Sequence, residues 1–254
     1  MIRTENLIKS FGDTTVLKGI TTEFYPGKTN LIIGRSGAGK TVLLKLLVGL
    51  HKPTNGCVWY GDTDFFSLDK KAVRAIRMEV GMLFQASALF DSMTVEENVR
   101  FPLDMFTNMT PKEKLMQVNS CLERVSLEGA NSKYPSETSG GMQKRVGIAR
   151  AIVLNPKYLF CDEPNSGLDP KTAIVIDELI KDITVEKNIT TVINTHDMNS
   201  VMEIGDNIIL LYHGEITWRG SKDEVLESEN EYLQDFIFAS PFLQRLRARA
   251  LKNS

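Results

Sequence analysis

The chain lacks the features that mark several large classes of protein. Its 254 residues include only three cysteines, Cys57, Cys121 and Cys161, which lack the spacing of a metal site and favour a reducing compartment. No apolar run reaches the roughly 18 residues of a membrane-spanning helix, and the N-terminus does not resemble a signal peptide. The formal net charge of −2 lacks the basic excess of nucleic-acid-binding proteins. These absences predict a soluble protein with no membrane span and no nucleic-acid partner.

The pattern of apolar residues predicts an α/β protein with an inserted helical block. Short β-like runs divided by turn residues fill residues 2–33, which indicates an antiparallel layer. Between residues 92 and 154 the apolar period changes from two to about 3.6, as in amphipathic helices. Strands and helices alternate again from residue 158 onward. We therefore expect a helical lobe inserted into an α/β core, with no internal repeat.

A glycine-rich segment carries the strongest chemical signal. It reads Gly34-Arg35-Ser36-Gly37-Ala38-Gly39-Lys40-Thr41, between the apolar residues 31–33 and the leucine-rich residues 42–50. Glycines let successive backbone N–H groups surround an anion, and the start of the following helix adds a positive dipole end. A flexible glycine linker would not explain why Lys-Thr directly follows the last glycine. The segment predicts a nucleoside triphosphate site, in which Lys40 reaches the β- and γ-phosphates and Thr41 holds Mg²⁺.

Polar residues also stand at the ends of three further strand-like runs. Asp162 and Glu163 follow the apolar residues 158–161, while Gln85 and His196 each follow another run. The alternative interpretation is that the acid pair merely forms a solvated strand end. Beside a phosphate loop, however, Asp162 is expected to hold Mg²⁺ through water, and Glu163 to polarise the attacking water. Because ligands gather at the carboxyl ends of strands in open α/β sheets, this pattern favours hydrolysis over binding alone.

A family resemblance enters with two further motifs, Ser139-Gly140-Gly141 and Ser166-Gly167-Leu168-Asp169. Together with the motifs above, in this order over about residues 2–227, they make the chain resemble the ATP-binding-cassette (ABC) ATPases. The resemblance implies a P-loop ABC ATPase core with an antiparallel β-subdomain and a helical signature subdomain. It implies an ATPase domain over residues 1–228, with the helical part at about 92–154, and a C-terminal helical extension over residues 229–254.

The resemblance also implies a homodimer and a set of roles around ATP. Two cassettes would pair head to tail, each ATP lying between the phosphate loop of one and Ser139-Gly140-Gly141 of the other. Gln85 would contact Mg²⁺ and the attacking water and sense a transmembrane partner, while His196 would contact the γ-phosphate. Asp169 would communicate across the dimer. Phe11 would stack on adenine, although the residues around it, taken alone, favour a position in the core.

Departures from the usual Leu-Ser-Gly-Gly-Gln signature of this family point to one of its subfamilies. Thr138 and Met142 replace the leucine and the glutamine, and Gly167 stands where alanine is commoner. The run from Ser139 to Arg145, with residues 80–91 and 101–103, looks like the ATPases of Mla-type lipid-asymmetry transporters. That resemblance implies a transmembrane permease, an MCE-domain lipid-binding protein and phospholipid cargo, at the cytoplasmic face of a bacterial inner membrane.

The C-terminal tail and the cargo leave alternatives open. Residues 233–236 loosely resemble the tail of the Mla-type ATPase. An apolar helical face with basic residues around it follows, formed by Phe242, Leu243, Leu246 and Ala250 with Arg245, Arg247, Arg249 and Lys252. This face fits docking on its own domain, a clasp on the second subunit, or contact with anionic lipid. Rival functions are an ABC ATPase for an amino acid, a metal chelate or a lipoprotein, and a soluble cassette of translation or DNA repair.

Overall fold

The computed structural model describes residues 1–237 and divides the chain into two compact units. Of the described residues, the first unit contains Met1–Tyr25, Thr29–Phe66 and residues 194–237, and the second contains Pro26–Lys28 and Ser67–Ile193. The predicted apolar face around Phe242 to Lys252 lies outside the described residues. The domain boundaries at residues 92, 154 and 228 stay predictions.

The strands and helices of residues 1–237 follow the predicted alternation. The strands are β1 (Ile2–Phe11), β2 (Thr14–Phe24), β3 (Thr29–Ile33), β4 (Asn55–Tyr60), β5 (Thr63–Asp64), β6 (Val80–Leu83), β7 (Tyr158–Asp162), β8 (Thr190–Thr195), β9 (Asn207–Tyr212) and β10 (Glu215–Gly220). The helices are α1 (Lys40–Leu47), α2 (Lys70–Met78), α3 (Val95–Phe106), α4 (Pro111–Arg124), α5 (Gly140–Ile152), α6 (Pro170–Glu186), α7 (Met198–Ile204), α8 (Lys222–Val225) and α9 (Glu231–Ile237). Short 3₁₀ turns form at Phe65–Ser67 and Pro135–Glu137.

The antiparallel layer predicted for the N-terminal region is present in the first unit. Its strand order is β2-β1-β4-β5, and Ile2 of β1 lies opposite Phe24 of β2. Residues 14–24 form one long strand, β2, where the sequence predicted shorter runs divided by turns. Gly19, with φ +90°, and Asn6, with φ +45°, lie in an irregular stretch of the β1–β2 pair. This bulge absorbs the glycine that interrupts the sequence pattern, so the strand continues.

The same unit contains the strands around the glycine-rich segment. β3 runs parallel to β9, with Leu31 opposite Ile208, and β10 pairs antiparallel with β9. Every residue of β3 is buried, and α1 begins directly after the glycines. The predicted order of strand, loop and helix is therefore confirmed.

The second unit contains a parallel strand pair and the helical block. β6 and β7 are parallel neighbours, and β8 lies beside β7. Helices α3, α4 and α5 pack on one another, as predicted for residues 92–154. Thr94 and Thr110 begin α3 and α4 with capping boxes, in which the threonine hydroxyl and a glutamate satisfy the free backbone N–H groups.

Helix α2 is a finding that the sequence pattern did not predict. Its apolar residues Ala72, Val73 and Ile76 share one side of the helix but are only half-buried, and none of its residues is fully buried. Asp69 caps its start by accepting a hydrogen bond from the N–H of Ala72 at 2.7 Å.

Among residues 1–237, no helix is both long enough and apolar enough to span a membrane.

Candidate functional site

The glycine-rich segment adopts a backbone that its glycines make possible. Gly34, Gly37 and Gly39 have φ values of +147°, +82° and +104°, which side chains disfavour. At Gly34 a Cβ atom would lie 2.4 Å from the carbonyl oxygen of Leu211 in β9, so the loop and that strand approach too closely for any side chain. At Gly37 a Cβ atom would meet nothing within 4 Å. Gly34 is therefore required both by its φ value and by the close approach of β9, whereas Gly37 is required by its φ value alone.

This difference predicts unequal effects of two alanine substitutions. Gly34→Ala adds backbone strain and a steric clash with β9, and we expect it to reduce the free energy of unfolding by about 2–4 kcal/mol. Gly37→Ala adds strain alone, so we expect a loss of about 1 kcal/mol. Thermal melts of both variants beside the parent protein measure the difference. Equal melting temperatures for the two variants would contradict the assigned role of the close approach at Gly34.

Lys40, the first residue of α1, already directs its ammonium group at the loop. The side chain is 7% exposed, and its Nζ donates to the carbonyl oxygens of Gly34 at 2.8 Å and Arg35 at 3.2 Å. The N-cap residue Gly39 has no side chain with which to satisfy the first N–H groups of α1. A buried cation beside a helix N-terminus is the arrangement that binds phosphate oxygens. Thr41 follows at the exposed surface.

Phe11 and His196 also belong to the first unit. Phe11 is 45% exposed, so the prediction from its neighbours that it lies in the core is wrong. Its ring contacts His51 edge-on, with 5.5 Å between centroids, and Lys9 Nζ lies 4.7 Å from its centroid. An exposed ring at the end of β1 can stack on a planar group. His196 directly follows β8 and is exposed.

The second unit brings Gln85 and Glu163 together. The Nε2 atom of Gln85 donates to Oε2 of Glu163 at 3.1 Å and lies 3.4 Å from the Ser166 hydroxyl. The strand register explains the meeting, because Leu83 lies opposite Cys161 and each side chain follows two residues later. Glu163 is half-buried and has φ +48°, a strained conformation of the kind that clusters at functional sites. Asp162 ends β7 and is 8% exposed.

Helix α5 of the second unit begins at the Ser139-Gly140-Gly141 motif. The Ser139 hydroxyl caps α5 by accepting from the N–H of Met142 at 3.3 Å, and Gly140 is the first residue of the helix. At Gly141 a Cβ atom would lie 2.7 Å from the Thr172 methyl group, so a side chain would push α5 away from α6. Ser139 itself is exposed at the N-terminus of α5, where an anion would be favoured.

Asp169 caps α6 in the same manner. Its carboxylate accepts hydrogen bonds from the N–H groups of Lys171 and Thr172, each at 3.1 Å, and from the Thr172 hydroxyl at 2.5 Å. These hydrogen bonds hold the pKa of Asp169 below its usual value, and the one from the Thr172 hydroxyl has the largest effect. The exposed carboxylate therefore has a fixed direction at the start of α6.

Two basic residues of α5 contact this region although the motifs gave no reason to single them out. Lys144 is 5% exposed, and its Nζ donates to the carbonyl oxygen of Gln85 and, at 3.5 Å, to that of Glu163. Burial lowers the pKa of its amine. The Arg150 guanidinium donates to the carbonyl oxygens of Ser87 at 2.5 Å and Ala88 at 2.8 Å. The sequence signal that could have identified these two residues is that they lie among the apolar residues of α5, where a basic side chain is unusual.

The donors present suit Mg²⁺ better than a transition metal. Residues 1–237 contain no cluster of three His, Cys, Asp or Glu side chains that would hold a metal by itself. Mg²⁺ needs no such cluster, because it commonly takes one or two carboxylates, with waters and substrate phosphates as further ligands. Oxygen donors of that kind are the Thr41 hydroxyl in the first unit and, in the second unit, the Gln85 amide oxygen and the Asp162 carboxylate.

A family model, curated relatives and solved structures that are similar to this chain all point to the same protein family. The family model described as ABC transporter matches residues 17–166. A Mycobacterium leprae protein named "Probable ribonucleotide transport ATP-binding protein mkl" is 37% identical over 93% of this chain and 68% of its own length. The Campylobacter jejuni "Methionine import ATP-binding protein MetN" is 39% identical over 96% of this chain and 77% of its own length. A dimeric structure of "the ATP-binding cassette MJ0796 bound to ADP and Pi", described as a post-hydrolysis state, covers 87% of this chain and 99% of its own, with 33% identity and a TM-score of 0.79.

Proposed function

Because this chain belongs to the ABC transporter family, as an ATP-binding subunit that hydrolyses ATP, we propose that it powers a phospholipid transporter of the Mla type. The cargo proposal is supported by the signature variant that ends in Met142 and by two runs, residues 80–91 and 101–103. These runs meet in the second unit, where the rings of Phe90 and Phe101 lie 4.9 Å apart. The buried amide of Asn98 secures the backbone of Phe90 with hydrogen bonds of 2.8 and 3.1 Å.

The proposed reaction is in-line attack of water on the γ-phosphate. The contact between Gln85 and Glu163 at 3.1 Å is the observation that carries it, because it unites a water-orienting amide and a general base. The Glu163 carboxylate would accept a proton from the attacking water. The ammonium of Lys40 would stabilise charge on the β- and γ-phosphates, and Phe11 would stack on the adenine. When bound, Mg²⁺ would neutralise phosphate charge, held by Thr41, Gln85 and Asp162.

The proposal includes a homodimer in which ATP is shared. In it, Ser139 of the partner subunit would cap the γ-phosphate together with the N-terminus of its helix, and Asp169 would signal across the interface. His196 would contact the γ-phosphate from the subunit that binds the nucleotide. The MJ0796 cassette, dimeric with ADP and Pi bound, supports this arrangement. After hydrolysis the two copies would separate, so that ATP binding and hydrolysis would alternately close and open the dimer.

The proposed partners are a transmembrane permease and an MCE-domain lipid-binding protein, at the cytoplasmic face of a bacterial inner membrane. Several large apolar side chains of the second unit are exposed, among them Phe84, Phe90, Met105 and Phe106. Exposed apolar side chains of this size are typical of surfaces that bind another protein. They support a permease contact through this unit.

A second candidate function has its own support. The two relatives above carry names for ribonucleotide transport and methionine import. These names favour a small polar cargo, and the same ATPase chemistry would serve it. The cargo path would then belong to a different permease, with a receptor for a soluble substrate.

A pull-down from detergent-solubilised native membranes separates the two cargo proposals. The tagged chain is purified, and its co-purifying proteins and lipids are identified by mass spectrometry. We expect a multi-span permease, an MCE-domain protein and enriched phospholipid. A permease with a receptor for an amino acid or a nucleotide would replace the phospholipid proposal with the second candidate. Ribosomes or DNA-repair proteins in place of a permease would overturn both.

A further inference from the structure

One side of α5 is built to hold the loop that follows β6. Lys144, Gly147 and Arg150 recur every three residues and therefore share a helix face. Both cations donate to carbonyl oxygens of this loop, Lys144 at Gln85 and Arg150 at Ser87 and Ala88. Gly147 lets β6 and the loop approach, because a Cβ atom there would lie 2.7 Å from the Leu83 side chain and 3.4 Å from the Cβ atom of Ser87.

The loop is in a conformation that needs such support. Ser87 and Ala88 have φ values of +60° and +46°, and neither is a glycine. Consecutive residues with side chains in the left-handed region are strained, and they persist where surrounding contacts fix them. Arg150 supplies two charged hydrogen bonds to these two residues at 2.5 and 2.8 Å. Gln85 therefore precedes an anchored turn.

Lys144 extends this support to Glu163. Its ammonium donates to the backbone oxygens of both Gln85 and Glu163, whose side chains are themselves joined by the 3.1 Å hydrogen bond. An ammonium has three donors and no acceptor, so it can serve two carbonyl oxygens at once. Glu163 has φ +48°, and its backbone position depends on contacts of this kind.

We propose that Lys144 is a positioning residue for ATP hydrolysis, which fixes the backbones of Gln85 and Glu163 so that their side chains meet the attacking water. This inference rests on the proposed roles of these two residues. Lys144 also belongs to α5, the helix that Ser139 caps, so it links the helix that begins at this serine to the backbone of Glu163 within one unit. A displacement of α5 would then be transmitted to the general base.

The chemistry at this position requires a cation with several donors. The Nζ of Lys144 donates to two backbone carbonyl oxygens, those of Gln85 and Glu163. Methionine would fill the same volume without donating a hydrogen bond, and arginine would keep both the charge and the donors. These two replacements separate packing from positioning.

The test measures ATPase kinetics and nucleotide affinity of the full chain. For Lys144→Met we expect kcat to fall by about 10- to 100-fold, because small misplacements of catalytic groups cost that much. The KM for ATP and the Kd for a fluorescent ATP analogue stay within about twofold, since the phosphate loop is intact. Lys144→Arg restores most of kcat.

Arg145 provides the matched control. It is the next residue of α5 and donates to two backbone oxygens, those of Val125 and Ser126, away from the loop after β6. Arg145→Met should leave kcat unchanged while lowering the melting temperature by a few degrees, as Lys144→Met also does. Equal kcat values for Lys144→Met and Arg145→Met would overturn the inference, and so would a failure of Lys144→Arg to restore turnover.

The inference and the proposed function fail in different ways. Normal turnover in Glu163→Gln would remove the proposed general base, whatever Lys144 does. Loss of turnover in Glu163→Gln with full turnover in Lys144→Met would keep the proposed reaction and reject the positioning role alone.

Discussion

Replacing Glu163 with glutamine is expected to lower ATP turnover by about 100-fold or more, the range in which a general base contributes. Glutamine keeps the shape of the side chain and can still contact Gln85, but it is a far weaker proton acceptor. The left-handed backbone of Glu163 is unaffected by this change, because the two residues differ only at the side-chain terminus. Binding of ATP should therefore persist while hydrolysis stops.

The consequence for assembly is a second readout of the same variant. If ATP holds two copies together until it is hydrolysed, Glu163→Gln should elute as a dimer on size exclusion with ATP and as a smaller species without it. Glu178→Gln, at an exposed position of α6, is the matched control and should hydrolyse ATP at the parent rate. Normal turnover in Glu163→Gln would remove Glu163 from the proposed role of general base.

Replacing Lys40 with alanine is expected to abolish nucleotide binding at ordinary concentrations, with a loss of affinity of about 100-fold or more, or about 2.8 kcal/mol. The ammonium is 7% exposed and stands over the loop, where it donates to the oxygens of Gly34 and Arg35. A charge in so sheltered a position is poorly screened, so it contributes strongly to phosphate binding. Calorimetry with ATP and Mg²⁺ measures the loss.

Lys45 is the matched control for this prediction. It lies in the last turn of the same helix, α1, and is partly exposed. Lys45→Ala removes the same charge far from the start of the helix, and its affinity for ATP should stay within about twofold of the parent. Unchanged affinity in Lys40→Ala would mean that the glycine-rich segment does not bind the nucleotide through this side chain.

The sequence predicted the features that depend on residues close together in the chain. The glycine-rich segment needs only its own strand, turn and helix, all contained in residues 29–47, and each signal lies within a few residues of the next. The helical period of residues 92–154 is local for the same reason, since it needs only residues three and four positions apart. The ABC ATPase fold predicted from the ordered motifs is confirmed.

Long-range contacts were decided by the tertiary structure. Gln85 and Glu163 are 78 positions apart, and their hydrogen bond depends on the register of β6 against β7, which neither segment specifies alone. Phe11 is exposed because no element of the first unit covers its ring fully, a fact absent from the pattern around it.

The sequence by itself thus determined the chemical parts of this protein: a phosphate loop, an acid pair at a strand end and a signature serine at a helix start. Only the tertiary structure revealed that Lys144 is buried beneath Gln85 and Glu163. The physical reason is that a lysine on a helix is ordinarily solvated, and its burial depends on carbonyl oxygens brought to it by two distant strands.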